Sequence, residues 1–241
     1  NILTPYVDNI REKKFNMFIG VDKPERFEVF KHTYNIGLDK DSYLAYSAFS
    51  STYSDSELSD SLLKWKKQHI PKILDTPYEV SCHGGVNPDL PPLPYCMNSY
   101  VSCILETQLL IDTDQEEIHL SEKTWKPILG ERIPILITAP GAHQQLKDWG
   151  FELYDEILDY RFDNMADMDL RVEFVTNQLK TLAEHEDPKQ LYIKTKEKRA
   201  YNREHALKLV KQQKDIPDLA FQDITCSNML TDVISYFQEK A

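Results

Sequence analysis

The chain has 241 residues, 41% of them hydrophobic and 28% charged, with a formal net charge of -11 from 39 acidic and 28 basic side chains. That length buries a sizeable core in one large α/β domain or two small ones, and no apolar run approaches the ~20 residues that span a bilayer. The acidic balance repels a polyanion unless basic groups gather on one face, which disfavours nucleic-acid binding.

In chain order, the sequence begins at Asn1 rather than Met, so a preceding segment or whole domain is expected to be missing. Lys14 to Gly20 reads as a short apolar strand ending in glycine, and Pro24 opens a helix through Phe30. Tyr43 to Phe49 reads as a second strand after the turn at Asp39-Lys40-Asp41. A Ser- and Asp-rich stretch leads into an amphipathic segment around Leu58, Leu62, Leu63 and Trp65. From Pro71 to Pro94 six prolines and the Gly84-Gly85 pair predict a long irregular loop, a kind of excursion that is often functional. Tyr100 to Leu105 predicts a strand, Lys123 onward a helix and Pro134 to Thr138 another strand. A helix from Gly141 and a short strand at Gly150-Phe151-Glu152 follow. Strands alternating with helices at this spacing predict a parallel α/β sheet. The last third is mostly helical: Leu170, Val175, Leu179 and Leu182 have helical spacing, and 189 to 213 reads as one highly charged helix. Met229, Val233, Ile234 and Phe237 read as core or as an oligomer contact. Cys82, Cys96, Cys103 and Cys226 contain no C-x-x-C pair and read as reduced thiols of a cytoplasmic protein.

The densest chemical signal is Leu120-Ser121-Glu122-Lys123-Thr124-Trp125-Lys126-Pro127, a polar turn opening a helix just ahead of the apolar run Ile133 to Ile137. A helix N-terminus offers unpaired backbone N–H groups and a partial positive charge, and Lys123 adds a full charge for a diphosphate. Glu122 can accept hydrogen bonds from ribose hydroxyls, as acidic residues do in dinucleotide folds. A capping box or a surface i,i+4 pair fits the same spacing, and spacing alone does not separate the readings.

The segment Tyr100 to Thr138, with Leu105-Glu106-Thr107, Ser121-Glu122-Lys123-Thr124-Trp125 and Arg132-Ile133-Pro134-Ile135-Leu136, resembles the donor-binding core of α1,3-fucosyltransferases. In that group a strand ending F-E-N-S is followed by T-E-K-L-W, a helix and V-P-V-V. The chain resembles still more closely a set of glycosyltransferases encoded by large DNA viruses and phages, which share E-K-T-x-K-P-I and a later L-K-x-x-G-F, here Leu146 to Phe151. The family's K-x-K-F strand and helix-opening arginine are matched by Lys13-Lys14-Phe15 and Arg26. The resemblance thus carries Arg26 over as a phosphate ligand, beside Lys123 with its neighbours Ser121 and Thr124. It gives Glu122 the ribose and has Glu106 line the nucleotide pocket. Thr107-Gln108 stand where the family has Asn-Ser, which leaves base and sugar unread.

The resemblance implies a Rossmann-like parallel sheet of GT-B type. Residues 1–180 would be the donor domain with its irregular loop 71–98, residues 181–241 a helical extension packed on it, and an acceptor domain or oligomer partner would complete the cleft. It implies transfer of a hexose or deoxyhexose from a GDP- or UDP-sugar to a hydroxyl on a glycan, glycoprotein or modified base. No metal would be needed, and the setting would be cytoplasmic, the host cytoplasm if the protein is viral. A carboxylate or imidazole would deprotonate the acceptor hydroxyl, and Asp22, Glu106 and His83 are the candidates.

Other readings remain open. Asp112-Thr113-Asp114 has the D-x-D form by which GT-A glycosyltransferases hold a divalent cation and the donor diphosphate. A non-catalytic module that binds a donor or a partner is the alternative from outside enzymology. His143, at a predicted helix start, is near enough to a turn to approach donor sugar or phosphate. The basic stretch Lys194 to Arg203 reads as the solvated face of a helix. Neither Gly-x-Ser-x-Gly nor a P-loop occurs, so hydrolase and NTPase readings have no support.

Overall fold

A computed structural model of the chain describes residues 11, 13–19, 24–46, 60–73, 99–106, 118, 120, 122–185 and 187–213. The elements are β1 (Lys13–Ile19), α1 (Pro24–Asn35), β2 (Ser42–Tyr46), α2 (Asp60–Ile73), β3 (Ser99–Leu105), α3 (Glu122–Leu129), β4 (Ile133–Ile137), α4 (Ala142–Asp148), α5 (Met168–His185), α6 (Pro188–Lys194) and α7 (Lys196–Gln213). The four strands form one sheet in the order β2-β1-β3-β4, and every pair is parallel.

A parallel sheet needs helices on both faces, so its central strands run apolar throughout rather than alternating with polar residues. β3 and β4 are buried at every position. Phe15, Met17 and Ile19 share one face with Val101, Cys103, Leu105 and the three isoleucines Ile133, Ile135 and Ile137. Phe27 and Phe30 of α1 and Val172, Val175 and Leu179 of α5 pack with them in one core. A second core joins Ile104 and Leu136 to Trp125, Ile128 and Leu129 of α3 and Leu146 of α4. The one polar side chain buried mid-strand in β1 is Asn16, whose Nδ2 donates to the hydroxyls of Ser99 at 2.5 Å and Ser102 at 3.2 Å. A buried amide needs such partners.

The register places Phe15 beside Val101 and Val101 beside Ile133, so β1, β3 and β4 reach their carboxyl ends close together. β1 lies between β2 and β3. From β1 the chain therefore steps one way to β2 and then back across to β3, the arrangement that opens a crevice at the strands' carboxyl ends.

Several expectations change in detail. α2 continues through Pro71 to Ile73, past the predicted start of the loop. The predicted strand at Gly150 to Glu152 is instead a turn at Gly150 followed by residues that join no sheet ladder. The Asn202 side chain stands in for a neighbouring strand there: Oδ1 accepts from Glu152 N and Nδ2 donates to Glu152 O, both at 2.8 Å. Leu170 does not belong to the core face of α5; it is exposed, while Val172 and Val175 turn inward. The single charged helix over 189 to 213 is two helices meeting at Thr195, whose hydroxyl turns back to the carbonyl of Leu191 at 2.9 Å. Nor is its basic stretch wholly solvated, since Arg199 is buried, as are Asn202 and Ala206 on the same side of α7. α5 runs unbroken across the expected division at residue 180, and Leu191 and Tyr192 of α6 enter the first core.

The Leu146 to Phe151 motif is a helix ending. Phe151 N donates to Leu146 O at 3.0 Å and Gly150 N to Lys147 O at 2.9 Å, with Gly150 left-handed at φ 92°. This is the Schellman pattern, and its usual apolar contact is supplied by Leu146 and Phe151 in the second core. A side chain at Gly150 would also meet the ring of His205, 2.9 Å from a Cβ built there.

Cys103 is buried and free, and burial pushes its thiol up to about 12. The other three cysteines and the 229–237 segment lie outside the described residues. No helix among the described residues is long and apolar enough to cross a membrane.

Asn202→Ala removes both side-chain partners of Glu152 N and O and is expected to lower stability by about 1 kcal/mol, the net worth of partly buried hydrogen bonds. Urea unfolding of the two proteins measures the difference.

Candidate functional site

Four of the side chains singled out in the sequence meet at the carboxyl edge of the sheet. Glu106 is the first residue beyond β3, and its backbone N donates to Ile137 O at 3.2 Å, which prolongs the β3–β4 ladder by one step. With no solvent exposure, its side chain faces inward. Thr124, in the first turn of α3, donates its hydroxyl to Glu106 Oε1 at 2.6 Å. Lys123 Nζ lies 3.9 Å from Glu106 Oε2 and keeps about a third of its side chain exposed, 34%. From the side of β1 Arg26, in the first turn of α1, donates through Nη2 to the Glu106 carbonyl oxygen at 3.3 Å.

Local sequence explains why each group arrives there. Phe27, Val29 and Phe30 seat α1 in the core, which leaves Arg26 at the helix end nearest the end of β1. Trp125, Ile128 and Leu129 seat α3 in the second core, so its first turn lies against the end of β3. Pro127 sits inside α3, where its missing N–H costs one helical bond. The helix ends two residues later and Arg132 N donates to Pro127 O at 2.8 Å on the way into β4. Lys123 and Thr124 are neighbours on a helix and point in different directions; both nevertheless reach one carboxylate, because Glu106 lies under the helix start.

The arrangement therefore gathers two cations and the N-terminal turn of an eight-residue helix around the point where strand order reverses. Chemically this suits an anion: N–H groups and ammonium for phosphate oxygens, guanidinium behind them. Arg26 is the less accessible cation, 3% exposed. Glu122 is the first residue of α3. Ser121, Asp22, His83 and the Asp112/Asp114 pair lie outside the described residues. No group of three or more His, Cys, Asp or Glu side chains among the described residues is arranged to hold a metal ion.

Residues 138–141 follow the carboxyl end of β4, and here Asp163 acts, a residue that sequence reading missed. Its Oδ1 accepts from His143 N at 3.1 Å and contacts His143 Nδ1 at 2.9 Å, and Oδ2 accepts from Gln144 N at 3.0 Å. Its carbonyl accepts from Gly141 N at 2.7 Å. One aspartate from a remote 3-10 turn (Tyr160–Asn164) thus caps α4 and fixes the β4–α4 turn. Gly141 is needed in that turn: its φ is 88°, and a Cβ there would sit 3.2 Å from Ile118 Cδ1. His143 is at the helix start as expected but is turned inward, 2% exposed. Tyr160 and Phe162 cover it at ring distances of 4.9 and 5.0 Å. It has no open path to a sugar or phosphate. Only the Asp-to-helix distance in space reveals Asp163; twenty residues of sequence separation leave no local signal.

No family model matches the sequence, and no curated protein or solved structure matches the chain.

Burial alone would raise the Asp163 carboxyl. The hydrogen bond and charge of His143 and the backbone N–H groups of Gln144 and His143 outweigh it and hold the carboxyl below its ordinary value. The native state thus favours the ionised form, and the stabilisation is complete above the unfolded Asp value near ~4 and lost as pH falls through the lower native one. Asp163→Asn keeps one capping acceptor but loses the other and the charge, and is expected to flatten that acid limb and to cost about 1 kcal/mol at neutral pH. Denaturant midpoints measured between pH 2 and 7 test it, and an acid limb unchanged by the substitution would count against the assignment.

Proposed function

We propose that the chain is a nucleotide-sugar-dependent glycosyltransferase of GT-B type, or the donor-binding half of one, moving a sugar from a nucleoside diphosphate to a hydroxyl acceptor without a metal. The observation that carries the reading is the meeting of Arg26, Lys123 and Thr124 around Glu106 at the strand-order switch of a parallel sheet. These are the residues that the resemblance to fucosyltransferases and to viral glycosyltransferases assigns to the donor, and their sequence separation gives no reason for them to meet otherwise.

In this reading Lys123 and the N–H groups opening α3 take the diphosphate, Arg26 adds charge from the α1 side and Glu122 takes the ribose. As the glycosidic bond to phosphate breaks, negative charge grows on the leaving diphosphate, and fixed cations stabilise that charge more than they stabilise the bound donor. Glu106 is not given the role of base: a carboxylate with no exposure, held by Thr124 and beside Lys123, does not reach an acceptor hydroxyl. It is a positioning residue. The base, and an acceptor domain or second copy to carry the acceptor, belong outside the described residues, with Asp22 and His83 the candidates in this chain.

Calorimetric titration with GDP-, UDP-, CMP- and dTDP-sugars is expected to give binding with one nucleotide class. Lys123→Ala is expected to weaken it by about tenfold or more, the worth of one charge-assisted phosphate contact. Lys123 is the better probe because a third of its side chain is exposed and its loss leaves the core intact. Absence of binding to the whole panel, or a Lys123→Ala protein that binds as the wild type does, would sink the reading.

A further inference from the structure

Glu106 presents a physical puzzle in a site built for anions, because it puts a wholly buried negative charge directly behind the lysine that would hold phosphate. Thr124 donates to one carboxylate oxygen at 2.6 Å and Arg26 donates to the same residue's carbonyl rather than to its carboxylate. The other oxygen lies 3.9 Å from Lys123 Nζ, inside the range of ionic attraction but beyond hydrogen-bond length. Lys123 is therefore drawn inward by that charge. A neutral acceptor of the same shape would serve Thr124 equally well, so what a carboxylate adds beside Lys123 is charge.

We propose that Glu106 is a counter-charge that shares the Lys123 ammonium with the bound diphosphate and thereby weakens the site's hold on it. The inference rests on the nucleotide-sugar reading above. With no ligand, the carboxylate keeps Lys123 at the first turn of α3; with a diphosphate present, the same ammonium lies between two anions and each weakens its attraction to the other. Charges buried this deeply are poorly screened by salt, so the effect persists at physiological ionic strength. The benefit to a transferase is turnover: its diphosphate product must leave after every cycle, and product release limits many enzymes.

The test is calorimetric titration of inorganic pyrophosphate, and of whichever nucleoside diphosphate the wild type binds, into the full chain and three variants. Glu106→Gln keeps the shape and the acceptor for Thr124 but loses the charge. It is expected to bind pyrophosphate about three- to tenfold more tightly than the wild type. Lys123→Met is expected to bind weakly, measured at millimolar pyrophosphate, and Glu106→Gln is expected to gain less in that background, because only the direct repulsion between carboxylate and anion is left to relieve. Should Glu106→Gln fail to fold, Glu106→Asp draws the carboxylate back by one methylene and must tighten binding in the same direction by a smaller factor. Unchanged or weaker binding in the folded variant overturns the proposal, as does an equal gain in the Lys123→Met background. If the wild type binds neither pyrophosphate nor any nucleoside diphosphate, the nucleotide-sugar reading falls and takes this inference with it. If it binds them through Lys123 while Glu106→Gln does not tighten, only the counter-charge falls.

Discussion

The parallel pairing of β1 with both β2 and β3 is the constraint on which the rest of the structure depends. Because a parallel connection must cross the sheet, the chain leaves β1 toward one edge and returns toward the other, and the ends of β1 and β3 are left with a gap between their outgoing connections. Whatever residues follow those two strands face each other across it. Glu106 follows β3 immediately, and Arg26 opens the helix after β1; their contact is a product of topology, since they are eighty positions apart in sequence. α3 completes the corner only because Trp125 and Ile128 anchor it against the β3–β4 face.

The opposite edge of the same sheet handles charge in another way. Arg11 precedes β1, Arg132 precedes β4 and Arg199 comes from α7, and all three converge on Tyr192. Arg11 and Arg132 donate to its hydroxyl at 2.8 and 3.0 Å, and the Arg199 guanidinium lies 3.3 Å from the ring centroid. Glu131, in a left-handed turn at φ 53°, adds a carboxylate 3.8 Å from Arg199. Burial, joined by repulsion from Arg11 and Arg199, lowers Arg132 to about 9 against the pull of the Tyr192 phenol. Here the guanidinium groups are covered and spent on phenol, ring face and carbonyls, which ties α6 and α7 to the sheet. At the carboxyl edge Lys123 stays partly open. Arg26 at that edge is as covered as the arginines of the clamp, so the partly open cation there is the lysine.

Much of this was legible in the sequence wherever short-range physics governs. The apolar runs behind β1, β3 and β4, the proline opening α1 and the polar turn opening α3 follow from periodicity and capping, and the parallel α/β class follows from their alternation. What escaped depends on partners distant in sequence. Asn202 bonds the Glu152 peptide and removes the need for the strand that Gly150 to Glu152 suggested. Arg199 reads as solvated because its neighbours are charged, and only the fold supplies Tyr192 as its covering ring. His143 reads as a site residue from its place at a helix start, while Asp163 and two aromatic rings turn it inward. For the site, Lys123 follows from its place at a helix start, and Arg26, Thr124 and Glu106 came from resemblance. That Glu106 lies beneath the lysine rather than beside a ligand came only from the geometry.

A net charge of -11 sets the chain against polyanions, yet the corner at the end of β3 is built from cations, and the two facts are compatible on the scale at which charge acts. Surface charges are screened over roughly 8–10 Å at physiological salt, so a long nucleic acid feels the acidic exterior at many points. A compact diphosphate recessed at a helix start feels mainly the nearest few groups. Among these the buried ones count most, because protein rather than water lies between them and the ligand. In the proposed reading, the local groups Arg26 and Lys123 set against Glu106, and not the total over the chain, would govern how strongly a diphosphate is held there. A carboxylate kept among the cations is what such a site would need in order to grip a diphosphate during transfer and let it go afterwards.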